Sequence, residues 1–214
     1  MSAFNPLDKR NLGISVANQL LMQPLSPLPP VPFEGAGIYA IYYSAVYQPY
    51  PLYQPFAIQP NQPSIPIYVG KAVPDGARIG GLGLNTPPGT VLFRRLREHA
   101  SSIAQVDNLA LEDFSCRYLI VDDIWIPLGE SLLIEMFAPI WNTTIAGFGN
   151  HDPGSGRYNQ QRSVWDTLHP GRPWATNLRL NARSTDDIIA LVQQTIATRQ
   201  LRQANSDNAQ AEDE

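Results

Sequence analysis

Cysteine is nearly absent from this sequence: Cys116 is the single one among 214 residues. A lone thiol cannot close an internal disulfide, so a small disulfide-built scaffold is excluded. Its setting, "DFSCRYLIV" (113–121), reads as a strand, and the thiol is expected in the core rather than as a nucleophile. No run of about 18 apolar residues occurs, so no membrane helix is expected. The N-terminal "MSAFNPLDKRNLG" has no apolar signal core, so secretion is not expected and a reducing cytoplasm fits. Lysine is scarce as well, since 13 of the 15 basic residues are arginine. The planar guanidinium fork suits phosphate and guanine, although a solvated surface that merely favours arginine has the same composition.

Formal net charge is −4, which by itself argues against a nucleic-acid partner, but the acids are unevenly placed. The segment 207–214 holds four of the 19, and without it bases and acids balance at 15 each. Between 142 and 185 there are five arginines and only two aspartates, with aromatic residues interleaved. That segment reads as a basic extension.

The length fits one domain with extensions. Leu12, Val16 and Leu20 recur at helical spacing within 7–22, with Asp8 as N-cap. "PLSPLPPVP" (24–32) is an extended lead-in. Strands are expected at "GIYAIYY" (37–43), at 67–70 and within 114–123. Residues 44–66 read as a long connection and 74–89 as a glycine- and proline-punctuated loop. Helices are expected at 90–106, over 127–142 with a stop near Pro139, and at 184–203 capped by Ser184 or Thr185. The order predicts an α+β fold with a small, partly antiparallel sheet flanked by helices. The expected organisation is an N-terminal helix and arm (1–32), a core (33–142) with an insertion (44–66), a basic extension (143–203), and a disordered acidic tail (204–214).

Two helices place polar groups on buried faces. On 127–138 the apolar side chains Leu128, Leu132, Leu133, Ile134, Met136 and Phe137 fill an arc of roughly 240°. Glu130 falls inside that arc, whereas Glu135 falls outside it. A buried carboxylate needs a cation, either a metal or a structural salt-bridge partner. On 90–105, Arg95 and His99 stand one turn apart at the border of a face marked by Leu92, Leu96, Ala100 and Ile103. Arg94, Arg97 and Glu98 are expected to point away.

Together these residues resemble the GIY-YIG nuclease superfamily. Its signature is a GIY strand, a Y(I/V)G strand, an arginine on the next helix, a glutamate on a later helix and an asparagine beyond it. The chain offers Gly37-Ile38-Tyr39, Tyr68-Val69-Gly70, Arg95, Glu130 and Asn142 in that order. The resemblance is closer to a type II restriction branch that cuts the palindrome CCGCGG. It rests on "PFEGAGIYAIYY", "PIYVGKAVPDGAR", "RLREHASSIA", "LEDFSCRYLIV", "PIWNTTIAGFGNHDPGSGRY" and "WDTLHPGRPWA", spanning about 26–175.

The resemblance implies metal-dependent phosphodiester hydrolysis. Glu130 would hold a single Mg²⁺, Arg95 would meet charge on the phosphate, and Tyr39 would be the general base. A free phenol titrates near pH ~10, so Tyr39 is expected to be tuned downward, with His99, Lys71 and the metal supplying acceptor or positive charge. Tyr68 would position water or phosphate, and Asn142 would hold the site together. Tyr42 and Tyr43 are expected in the core. For DNA binding, Arg78, His151, Arg157 and Asn159 are the candidates. A homodimer on double-stranded DNA, a methyltransferase protecting host DNA without a stable complex, and a prokaryotic cytoplasmic setting are also implied. The alternatives are a repair or homing nuclease of the same superfamily, or a non-catalytic DNA-binding module.

Overall fold

A computed structural model describes residue 5 and residues 7–60, 62–74 and 87–211. Four strands form one sheet: β1 (Ser26–Pro27), β2 (Gly37–Tyr43), β3 (Tyr68–Ala72) and β4 (Phe114–Ile120). Their order is β1-β4-β2-β3, and every pairing is antiparallel. The sheet is thus antiparallel throughout the described residues, in the expected α+β arrangement. β1 sits in the segment read only as an extended lead-in, because two residues carry no period to detect.

β2 is the sheet's central element, and all seven of its residues are buried. Its side chains alternate between two covered faces. Ile38 faces α3 (Ile126–Phe137), where a Cβ on Gly129 would stand 3.0 Å from its Cδ1. Tyr39 points to the opposite face, toward α2 (Val91–Ala104). Tyr42 and Tyr43 are fully buried, as expected, and Tyr43 Oη accepts the Tyr50 N–H at 2.5 Å. Cys116 is buried, and burial pushes its thiol up to about 12, which leaves it inert as a nucleophile.

Local signals set the helix ends. Asp8 caps α1 (Lys9–Leu21) by accepting from Arg10 N at 2.8 Å. Gly13 lets α1 lie close against Leu128 and Leu132 of α3. α3 stops where Ala138 turns left-handed (φ 40°) ahead of Pro139. Met136 is 49 % exposed, so the apolar arc of α3 is narrower than the wheel suggests. Two short helices follow, α4 (Ile140–Thr143) and α5 (Val164–Leu168).

α6 (Thr185–Ala211) starts from a reciprocal cap: Asp187 N donates to Ser184 Oγ, and Ser184 N donates to Asp187 Oδ2. It runs past position 204, where composition suggests a disordered tail. Neither glycine nor proline interrupts "QANSDNAQA", so nothing in the local sequence stops the helix. The 44–66 insertion is anchored by a 3-10 turn (Pro51–Phe56) that buries Tyr53 and Phe56, and by Ile58 N donating to Tyr43 O at 2.9 Å.

Candidate active site

β3 is an edge strand of the sheet, and the candidate residues wrap around it. Tyr39 pairs across the ladder with Gly70, and Ile41 with Tyr68, so Tyr39 and Tyr68 share the α2 face. Ile38 pairs with Lys71, which places Lys71 on the α3 face. The site therefore has two halves, one on each side of β3.

On the α2 face, Tyr39 Oη and His99 Nε2 share a hydrogen bond of 2.6 Å. Tyr39 is 1 % exposed, and His99 equally so. The Tyr68 ring lies 6.2 Å from Tyr39 and 5.2 Å from His99. Phe148 stacks on His99 with centroids 4.5 Å apart and planes 18° from parallel. Arg95 comes from the same turns of α2, with Nη2 donating to Gly149 O at 3.0 Å. Its Nη1 meets Glu98 Oε2 at 3.2 Å and His151 Nε2.

On the α3 face, Lys71 Nζ meets Glu130 Oε2 at 2.6 Å. Lysine is the cation that the buried position of Glu130 demanded. The carboxylate is 18 % exposed, and its partner Lys71 also lines the cleft beside β3. Glu135 lies on the solvated side, as the wheel places it, and meets Arg10 at 3.3 Å. Lys71, Ala72, Arg94, Arg95, Glu98 and His151 line a polar cleft of about 340 Å³ beside β3.

Asn142 faces the open edge. Its Nδ2 donates to Val69 O and its Oδ1 accepts Val69 N–H, both at 2.8 Å. The side-chain amide thus takes the place of a neighbouring strand and fixes β3 between Tyr68 and Gly70.

Electrostatics correct one expectation. Burial raises Tyr39 well above the ordinary phenol value; Tyr68 adds to this, Arg95 opposes it, and the Glu130 charge raises it further. Burial likewise raises Tyr68. Neither phenol rests as a phenolate. His99 moves the other way: burial lowers it well below 6.5, and the charges of Arg95, His151 and Arg172 push in the same direction. A protonated phenol therefore meets a neutral imidazole.

The structure gathers Tyr39, Tyr68, Lys71, Arg95, His99, Glu130 and Asn142 around β3. His151, read from sequence as a DNA reader, meets Arg95 Nη1 and remains largely exposed. Arg157 and Asn159 are exposed, and Asn159 Oδ1 accepts from Arg179 Nη2 at 3.1 Å. Arg78 lies outside the described residues. Glu98 was expected to point away, yet it closes on Arg95 and the cleft. Its (i, i+3) spacing from Arg95 was the available signal. Phe148 and Gly149 carried no such signal, because their loop has no period. Two arginines of the basic extension are used internally: Arg172 is buried, and Arg162 Nε donates to Ala175 O at 3.0 Å.

Among the described residues, no helix is long and apolar enough to cross a membrane. A family model described as the Eco29kI GIY-YIG domain matches residues 31–196. The search of curated proteins returned no match.

Proposed function

The chain belongs to the Eco29kI GIY-YIG domain family of restriction endonucleases, and from that membership we propose a type II enzyme that cuts both strands of a GC-rich palindrome, CCGCGG, by metal-dependent hydrolysis. Its substrate is DNA. The observation that carries the catalytic reading is the Tyr39–His99 hydrogen bond beside Arg95 and the polar cleft.

In the tautomer with Nε2 unprotonated, Tyr39 donates to His99. Arg95 also hydrogen-bonds that oxygen, which leaves it one lone pair to accept a proton from a water in the cleft. As the water attacks phosphorus, its proton passes to Tyr39 and the phenolic proton passes to His99. The phenol acts as a relay and never needs to rest ionised. A phosphate arriving at Arg95 offsets one of the charges that keep His99 from accepting a proton. Arg95, already aimed by Gly149 O, Glu98 and His151, meets the charge that grows on the phosphoryl oxygens. Tyr68, on the same face, orients the water or the phosphate. Breaking the P–O3′ bond leaves a 5′ phosphate and a 3′ oxygen that takes up one proton.

Among the described residues, no group of three or more His, Cys, Asp or Glu side chains is placed to hold a metal. A single carboxylate nevertheless fits Mg²⁺, which keeps several waters and shares its shell with phosphate. Glu130 would hold it, in exchange for Lys71. The ion would supply Lewis-acid stabilisation of the phosphate and leaving oxygen.

Two such chains on one palindrome would cut both strands, so we assign a homodimer on DNA, with a separate methyltransferase protecting host sites in a prokaryotic cytoplasm. Arg78, Arg157 and Asn159 are the base- or phosphate-contacting candidates, and His151 is better placed at the scissile phosphate than at a base.

Digestion of unmethylated plasmid DNA with Mg²⁺, followed by sequencing of the fragment ends, tests this reading. Discrete fragments ending within CCGCGG support it. Discrete fragments ending elsewhere keep the nuclease and discard the site, and intact DNA across several divalent ions discards the catalytic reading.

A further inference from the structure

Arg172 is an arginine of the basic extension that cannot touch DNA, because it is 1 % exposed. Nε donates to Asp166 Oδ1 at 2.6 Å, and the Asp166 side chain is itself fully buried. Nη1 donates to Phe148 O at 3.1 Å and Asn150 O at 3.2 Å, and Nη2 donates to Gly147 O at 3.1 Å. The guanidinium also lies over the rings of Trp165, at 4.5 Å, and Trp174, at 4.7 Å. Asp166 is fixed in turn by Ser163, whose Oγ donates to its Oδ2.

Three of the four carbonyls from 147 to 150 thus point to Arg172. The fourth, Gly149 O, points to Arg95 Nη2. The same short segment supplies Phe148, stacked on His99, and continues to His151, which meets Arg95 Nη1. At Gly149 a Cβ would stand 2.9 Å from Tyr68 Oη and 3.1 Å from Arg95 Nη2, so the backbone itself is pressed against the site. The loop has no ladder or helix of its own to hold these placements, so the buried guanidinium does it. Lysine offers one donor centre in place of a planar fork and cannot hold three carbonyls and a carboxylate together.

We propose that Arg172, seated on Asp166, is a positioning residue for cleavage: through the 147–150 backbone it sets the aim of Arg95 and the packing face of His99. The inference rests on the reading of Arg95 and His99 as catalytic groups.

The test compares single-turnover cleavage of plasmid DNA with Mg²⁺, and DNA affinity in EDTA, for the full chain carrying Arg172→Lys or Asp166→Asn. Arg199→Ala is the stability control, because Arg199 caps the end of α3 through Phe137 O and Ala138 O rather than holding this loop. All rates are taken well below each variant's melting midpoint. Expected is a fall of about 100-fold in the rate constant with affinity kept within about threefold, while Arg199→Ala keeps its rate. In an Arg95→Ala background, Arg172→Lys should cost clearly less than it does in the wild-type chain, because the part of its effect carried by Arg95 is already gone and only the part carried by His99 remains.

A wild-type rate in folded Arg172→Lys or Asp166→Asn overturns the proposal, and so does a full multiplicative loss in the Arg95→Ala background. Should Arg172→Lys fail to fold, Asp166→Asn decides alone, since it keeps an oxygen acceptor for Nε. Full activity of Arg95→Ala itself would remove the underlying reading, a result separable from failure of the Arg172 variants alone.

Discussion

The Tyr39 ring occupies the space where a side chain on Gly70 would be: a Cβ built there would stand 2.5 Å from Tyr39 Cζ. The two residues are cross-strand partners, so the Tyr39 phenol packs against the glycine that ends the second tripeptide. The glycine is required by close approach, not by a left-handed backbone. Gly70→Ala should therefore push Tyr39 off its bond to His99. The expected cost is about 1–3 kcal/mol of stability from overpacking, with a larger loss in cleavage, about 100-fold, from misplacement. Thermal melting and single-turnover cleavage measured together check this, since a wild-type rate would mean that the ring's placement does not matter.

Asn142→Ala removes both bonds that close the free edge of β3. The Val69 amide and carbonyl then lose their partner, at about 1–3 kcal/mol. Hydrogen exchange at Val69 should accelerate more than at β2 amides, and cleavage should fall through Tyr68 rather than through DNA affinity. Unchanged exchange at Val69 would contradict the clamp.

Lys71 and the proposed metal compete for one carboxylate. Lys71→Met should lower the Mg²⁺ concentration needed for half-maximal cleavage, because Glu130 no longer has to leave an ion pair. A higher Mg²⁺ requirement would show instead that Lys71 helps to hold the metal site.

Two buried histidines predict acid sensitivity. Burial, with Arg172 adding to it, lowers His169 to about 3, and His99 is lowered as well. His169 is held neutral between Tyr53 Oη at 2.5 Å and Asn108 Oδ1 at 2.9 Å. The unfolded chain takes up protons below about 6.5, where the folded chain does not. Stability from this source is therefore complete above pH 6.5 and is lost progressively as pH falls toward about 3. Urea midpoints should drop between pH 7 and pH 4.5, and His169→Gln should flatten that drop. The His169 imidazole resonances should remain those of a neutral ring at pH 5.

Much of this was legible in the sequence because local rules agreed with the fold. Asp8 announced its helix through capping, Ser184 was one of the two caps expected for the last helix, and the GIY and YVG runs announced their strands. Glu130 betrayed itself by sitting inside an apolar arc. What remained hidden depends on contacts between distant, aperiodic segments. Nothing in "GFGNH" (147–151) says that its carbonyls divide between Arg95 and Arg172, and a basic segment reads as a DNA surface even when Arg172 is spent inside. The direction of the Tyr39 shift was missed for a similar reason: counting nearby cations leaves out the burial that outweighs them.

The most direct measurement of the central claim is single-turnover cleavage by Tyr39→Phe, which keeps the ring and its packing over Gly70 and removes only the hydroxyl. Relay through Tyr39 to His99 predicts a loss of at least about 100-fold, in the range of general acid–base catalysis, with melting temperature and DNA affinity close to wild type. Cleavage by the folded variant at the wild-type rate would contradict the account and return Tyr39 to the core.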